Sequence, residues 1–97
     1  MTITNSNFNN LISAAAASNG WTVSPYGHIS EWNVSDVSNM FRAFFNNNTF
    51  NEDISGWNMG SVENTSEMFR GATIFNQPIG DWSMGSVKNT YKMFLNA

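Results

Sequence analysis

The sequence contains no cysteine and a single histidine, His28, in 97 residues. The absence of cysteine excludes disulfides and thiolate metal sites. Charge is also scarce, since Asp, Glu, Lys and Arg together make up 11% of the chain and only four residues are basic. Four scattered basic side chains form no positive stripe, so nucleic acid is not an expected partner.

Long apolar runs are missing as well, and none is sufficient to span a bilayer. The segment Leu11–Ala17 resembles the short apolar centre of a signal peptide, but Met1–Asn10 contains no Lys or Arg. Because a signal peptide begins with positive charge, we expect a helix here instead of a secretion signal. The helix is predicted over residues 5–19, with Asn5 or Ser6 as the N-cap and Gly20 just beyond its end.

Aromatic and sulfur-containing side chains are abundant by contrast. The chain has eight Phe, four Trp and six Met, while Asn, Ser, Thr and Gly carry most of its polarity. This composition differs from the highly charged, aromatic-poor make-up of disordered chains. It indicates a genuine apolar core in a chain that is long enough for one domain at most.

A 25-residue period dominates the sequence after residue 28. Trp32, Trp57 and Trp82 are spaced by 25 residues each, and a polar column of Asn39, Asn64 and Asn89 has the same spacing. The apolar columns with this period are Ile29, Ile54 and Ile79; Val37, Val62 and Val87; and Phe44, Phe69 and Phe94. Periods of this length are typical of solenoids and related arrays, in which stacked copies share a core that one copy cannot form.

The period predicts an α+β repeat solenoid with two parts. Residues 1–28 are interpreted as an N-terminal capping helix and entry turn, and residues 29–97 as three repeats, the last one incomplete. The candidate short strands are Phe50–Trp57 and Phe75–Trp82, and Pro78 interrupts the second of them.

Two polar columns fit the proposed stacking. The asparagine column either hydrogen-bonds the backbone of successive turns or is simply solvated, and we favour the first interpretation. Opposite charges also recur at the 25-residue spacing, with Glu67 between Arg42 and Lys92, and Glu63 facing Lys88. Such exposed pairs contribute little stability, but they fix the register of neighbouring repeats.

The pattern W-N-x-x-x-V-x-N-x-x-x-M-F-x-x-A-x-x-F-N-x-x-I, as it stands in Trp57–Ile79, resembles a known repeat. It is similar to the roughly 25-residue repeat of BspA-like leucine-rich-repeat surface proteins and bacterial surface lipoproteins, and the resemblance covers residues 29–97. The resemblance implies right-handed, leucine-rich-repeat-like coils with one short strand per repeat. It also implies a non-enzymatic role in adhesion or protein contact at a surface.

The sequence offers no catalytic constellation. His28 lies in a Pro–Tyr–Gly–His turn with no partner singled out by spacing, so it is interpreted as a turn or surface residue. Asn51, Glu52 and Asp53 lack the alternating ligands of a calcium loop, and no glycine motif for phosphate is present. We therefore expect no enzyme activity, no metal and no cofactor. The Trp column would stack on carbohydrate if it were exposed, but its apolar neighbours favour a core position.

Two functions remain open from the sequence. The first is a surface module for adhesion or protein–protein interaction, located outside the cell. The second is a structural or decoration subunit of a phage, virion or filament. In either case we expect a protein partner, because no polar cap follows the last repeat. The candidate assembly edge is formed by Ile79, Trp82, Met84, Phe94 and Leu95, and two-fold self-pairing is its simplest closed form.

Overall fold

The regular elements all lie in the first third of the chain, according to a computed structural model that describes residues 2–97. Helix α1 spans Asn5–Ala17. Strands β1 (Thr22–Val23) and β2 (Gly27–His28) pair antiparallel, and a 3₁₀ helix follows at Ile29–Glu31. The described residues measure 31 × 26 × 23 Å along their principal axes.

The predicted N-terminal helix is present, with slightly different ends. Thr4 is its N-cap instead of Asn5 or Ser6, and the Asn7 side chain accepts the Thr4 N–H at 2.8 Å. The helix ends at Ala17, where Ser18 donates its N–H and its hydroxyl to the Ala15 carbonyl. Phe8, Ile12 and Ala15 are buried on one face of the helix, and Leu11 beside them is partly buried. None of the helices in residues 2–97 has the length and apolar character needed to cross a membrane.

The predicted solenoid with one short strand per repeat is wrong. The chain forms instead a small compact globule with one α-helix and one two-stranded antiparallel sheet, and that sheet precedes residue 29. Neither Phe50–Trp57 nor Phe75–Trp82 is a strand. The physical reason is local: their backbone groups close tight turns, as when Trp57 N–H donates to the Ile54 carbonyl and Trp82 N–H to that of Ile79. Turn bonds of this kind consume the donors that a strand ladder would need.

One apolar cluster holds the globule together. The helix residue Phe8 packs edge-on against Trp57 with ring centroids 5.9 Å apart, and Trp21 packs against Phe50 at 4.8 Å. The Phe44 ring lies parallel to that of Phe50 and to that of Phe69. Helix α1 and Trp21 therefore close the N-terminal side of the core.

Candidate functional site

The candidate site is built on three segments whose backbones run side by side: 38–46, 63–71 and 88–96. They are called here the first, second and third edge segments. Isolated parallel bridges join Asn39 to Asn64 and Asn64 to Asn89. Each Asn side chain accepts the N–H two residues further on, at 2.9 to 3.1 Å, so the asparagine column caps its own turns.

Most backbone hydrogen bonds between these segments run from an N–H of the earlier segment to a carbonyl of the later one; the exceptions are the Ser38 and Glu63 carbonyls, each of which accepts two N–H groups of the following segment. Alternate N–H groups of the first segment donate to alternate carbonyls of the second, over N···O distances of 2.7 to 3.2 Å. The donors are Met40, Arg42, Phe44 and Asn46, and the acceptors are Asn64, Ser66, Met68 and Arg70. The second segment repeats this toward the third, with Thr65, Glu67, Phe69 and Gly71 donating to Asn89, Tyr91, Met93 and Leu95 at 2.8 to 3.0 Å.

This one-sided arrangement depends on left-handed backbone at corresponding positions. Positive φ angles of 52 to 56° occur at Arg42, Glu67 and Lys92, which carry ordinary long side chains. A second set of positive φ angles falls on Asn46, Gly71 and Asn96, residue types that tolerate this region. Together with short turn bonds within each segment, these residues turn successive donors toward one side and carbonyls toward the other.

The third edge segment has donors that nothing in residues 2–97 accepts. Its unpartnered N–H groups belong to Thr90, Lys92, Phe94 and Asn96. The carbonyls of Thr90, Lys92 and Phe94 are already used in turn bonds. This side of the segment therefore presents four hydrogen-bond donors, with the Lys88 carbonyl as a lone acceptor at its start, and we call it the donor edge.

An apolar groove of about 850 Å³ lies beside the donor edge. Its lining consists of Ile79, Gly80, Trp82, Met84, Thr90, Lys92, Met93, Phe94 and Leu95. Phe94 stacks on Phe69 at 5.4 Å and remains 50% exposed, and Leu95 is 39% exposed. Apolar grooves with a few polar groups at their margin are the usual form of a binding site.

All five residues of the candidate assembly edge line this groove. In the periodic apolar columns, the first two copies are buried, while Ile79 and Val87 are only partly buried and Phe94 is exposed. The tryptophans are the exception, because all three are buried and each indole N–H donates to a backbone carbonyl. The donor edge is the part of the site that sequence reasoning missed, since residue type does not reveal left-handed φ at Arg, Glu or Lys.

The predicted charge stacking is only partly present. The buried Glu67 carboxylate is 2.6 Å from Arg42 Nε and 2.6 Å from Arg70 Nη1. Lys92 does not join them, because its ammonium group lies over the Tyr91 ring. The hydrogen bond from Arg42, aided by Arg70 and opposed by desolvation, holds the pKa of Glu67 below its usual range. Glu63 and Lys88 form an exposed pair at 3.5 Å.

His28 has two polar partners that its sequence context did not indicate. Its Nδ1 lies 2.7 Å from Ser30 Oγ and also accepts the Ser30 N–H, while Nε2 lies 2.8 Å from a Glu52 carboxylate oxygen. The ring thereby caps the 3₁₀ helix at Ile29–Glu31. Within the part of the chain that the structure describes, no group of three His, Cys, Asp or Glu side chains is placed to hold a metal ion.

Comparison with known proteins gives one family match. The sequence model described as "Mycoplasma protein of unknown function, DUF285" matches residues 23–97, which include all three edge segments and the groove. No curated protein and no solved structure matches the chain.

Proposed function

The chain belongs to the DUF285 family, and from this premise we propose that it is a non-enzymatic module for protein–protein interaction or adhesion. The apolar groove carries the proposal, because it combines exposed Phe94 and Leu95 with the donor edge. A protein segment meets both needs at once, since its side chains fill the groove while its carbonyls accept the free N–H groups.

The surface role is the more specific part of the proposal. The family is associated with BspA-like surface repeat proteins, and the Trp57–Ile79 pattern resembles their repeat. The scarcity of charge and the richness in Asn, Ser, Thr and Gly are compatible with a surface module and with a structural subunit. A structural or decoration subunit of a larger assembly is the alternative, and the donor edge favours it because such an edge readily joins one subunit to another.

Carbohydrate is a weaker candidate ligand than protein. A sugar-binding surface needs exposed aromatic faces, whereas Trp32, Trp57 and Trp82 are 3 to 8% exposed. Their indole N–H groups are also occupied by backbone carbonyls. These positions leave little of the tryptophan column for stacking on a sugar ring.

Site-specific photocrosslinking in the cells that produce the protein tests the proposal. A photoreactive amino acid at Leu95 lies in the groove, and the same group at Ile74, which is 51% exposed outside the groove lining, is the control. We expect a protein adduct at position 95 and none at 74, and the purified partner should lose affinity for a Phe94→Glu variant. Absence of any protein adduct at position 95 would contradict the proposed function.

Fractionation separates the two settings of that function. Recovery of the adduct from washed cell envelopes supports the surface module. Recovery at constant stoichiometry in purified particles or filaments supports the structural subunit.

A further inference from the structure

We propose that the groove and donor edge bind a second copy of this chain, head to tail, through the carbonyls of Asn39, Phe41, Ala43 and Phe45. These four carbonyls are called here the acceptor edge. The inference rests on the proposed function, since it names the occupant of the same groove. It goes further by fixing the direction of the contact and the residues on both sides.

The donor edge cannot pair with another donor edge. Its free groups at Thr90, Lys92, Phe94 and Asn96 are all N–H, because the carbonyls of residues 89–95 are engaged within the chain and only that of Lys88 is left on this side. A two-fold arrangement of the two donor edges would place N–H against N–H along most of the edge, since each copy offers four donors and a single carbonyl, at a cost in free energy for each buried group left unpaired. The two-fold pairing expected from the sequence is therefore disfavoured, and the occupant must offer a row of carbonyls.

The chain itself offers such a row at its other end. The acceptor-edge carbonyls lie 25 positions before those of Asn64, Ser66, Met68 and Arg70, which accept bonds from the first segment. No donor in residues 2–97 bonds to the four acceptor-edge carbonyls. The segment also reaches the surface, where Phe41 is 41% exposed.

The internal contacts show that the two kinds of edge fit. Donors of the second segment meet carbonyls of the third at 2.8 to 3.0 Å, with the same alternate spacing that the donor and acceptor edges have. Helix α1 contacts the start of this segment through Asn5, whose side chain accepts the N–H groups of Ser38 and Asn39 and donates to the Ser38 hydroxyl, not to the acceptor-edge carbonyls. A second copy would thus repeat between chains the four alternate bonds present within one chain, but not the bonds to the carbonyl at the start of each segment, because Asn5 already accepts the Ser38 and Asn39 N–H groups.

The register of the proposed contact brings two positive charges together, and this makes the register testable. Matching the edges in the internal register places Lys92 of one copy beside Arg42 of the next, since these are corresponding positions 50 residues apart. This like-charge contact weakens association, and salt screens it. Self-association should therefore increase with ionic strength, and Lys92→Glu should tighten it by at least about threefold at low salt. Glu is compatible with the backbone there, because Glu67 adopts φ 54° at the corresponding position.

A complementation experiment tests the head-to-tail direction. Phe94→Glu disables the groove and donor edge, and Phe41→Glu disables the acceptor edge. Sedimentation velocity should show each variant alone as a monomer and their equimolar mixture as a one-to-one heterodimer, because each supplies the edge that the other lacks. The parent should form a concentration-dependent series of oligomers, since a head-to-tail contact leaves an unused edge at each end.

The controls keep the result interpretable. Ile74→Glu changes an exposed apolar residue outside the groove and should assemble like the parent. Circular dichroism must show that each variant is folded, and Leu95→Glu, at a 39% exposed groove position, replaces Phe94→Glu if that variant does not fold.

Three results would overturn the inference. They are a parent that stays monomeric at high concentration, a Phe41→Glu variant that still dimerises alone, and a Lys92→Glu variant that associates no more tightly than Lys88→Glu. The proposed function would survive any of them if the Leu95 crosslink identifies a different protein. It would fail together with the inference if that position captures no protein at all.

Discussion

The indole of Trp57 shows how one residue serves both packing and polarity. It is 3% exposed, lies parallel to Trp32 at 6.4 Å, contacts Phe8 edge-on, and donates its N–H to the Ile29 carbonyl at 2.8 Å. Trp57→Ala should lower the free energy of unfolding by about 3–5 kcal/mol, which is a large part of the stability of a small domain.

Denaturant unfolding measures this change in the free energy of unfolding, and two further variants serve as comparisons. Trp57→Phe keeps most of the apolar ring but removes one of the two hydrogen bonds that the Ile29 carbonyl accepts, so its loss of stability should be intermediate. Tyr91→Ala removes a 62% exposed ring and should change stability little. A Trp57→Ala protein as stable as the parent would mean that this indole is not part of the core.

The Glu67 carboxylate ties stability to pH. Hydrogen bonds from Arg42 and Arg70 lower its pKa in the folded protein, so in acid the unfolded state binds a proton more readily than the folded state. The stability that Glu67 contributes is therefore complete above its usual pKa and is lost as the pH falls through the lower folded pKa. We expect Glu67→Gln to be less stable than the parent at pH 7 and to lose less stability on acidification.

Urea unfolding of both proteins between pH 7 and pH 3 checks this expectation. The difference between the two curves isolates Glu67 from Asp53, whose pKa is also lowered, by hydrogen bonds from the Ser55 hydroxyl and N–H. Parallel curves for parent and variant would contradict the expectation.

At the scale of an element, helix α1 supplies an acceptor as well as an apolar face. The Asn5 side-chain oxygen accepts the N–H groups of Ser38 and Asn39, at 2.9 and 3.2 Å. One segment later, the Ser38 carbonyl accepts the N–H groups of Glu63 and Asn64 in the same way. A side chain of the helix thus takes the place that a backbone carbonyl occupies elsewhere in the chain.

Because the Asn5 side chain stands in for a backbone carbonyl, we expect position 5 to require a side chain that accepts hydrogen bonds. Asn5→Ala should destabilise the protein by about 1–3 kcal/mol, because two backbone donors lose their acceptor. Asn5→Asp keeps the acceptor and adds negative charge near the helix N-terminus, which is favourable, so it should restore stability. Asn9→Ala, at an exposed helix position, is the matched control, and thermal unfolding distinguishes the three. Equal losses for Asn5→Ala and Asn9→Ala would show that the two bonds contribute nothing.

The elements also show what sequence patterns reveal. The helix was predictable because Phe8, Ile12 and Ala15 recur at helical spacing, and those residues are buried. The strands predicted at Phe50–Trp57 and Phe75–Trp82 are absent. Their apolar residues are separated by Gly56, Gly80 and Pro78, which favour turns. A period of 25 residues indicates which positions correspond, but it does not decide whether the backbone between them is strand or turn.

At the scale of the whole molecule, the 25-residue period indicated which apolar residues line the groove, but not the hydrogen-bond donors beside it. The third copies at Ile79, Trp82, Met84 and Phe94 line it, as expected for the last copy of each apolar column. The donor edge depends on left-handed φ at Lys92 and Asn96, a property of the folded backbone. The sequence therefore indicated the apolar residues that line the groove but not the row of N–H donors beside them.

Assembly through this site should appear as a dependence of stability on concentration. A partner that binds only the folded chain stabilises it by about 2.7 kcal/mol when its concentration is 100-fold above the dissociation constant. For a domain of this size, that corresponds to a rise in Tm of roughly 10 °C or more. We expect the Tm of the parent to increase with protein concentration by this order, because the second copy covers the groove and satisfies the donor edge.

Calorimetry over a wide concentration range provides the measurement. Phe94→Glu should show a Tm that does not change with concentration, since it cannot accept a second copy, and Ile74→Glu should behave like the parent. The dependence of Tm on concentration should be stronger in high salt, where the repulsion between Lys92 and Arg42 of neighbouring copies is screened. A concentration-independent Tm for the parent in high salt would mean that the groove of the folded chain is not occupied by another copy.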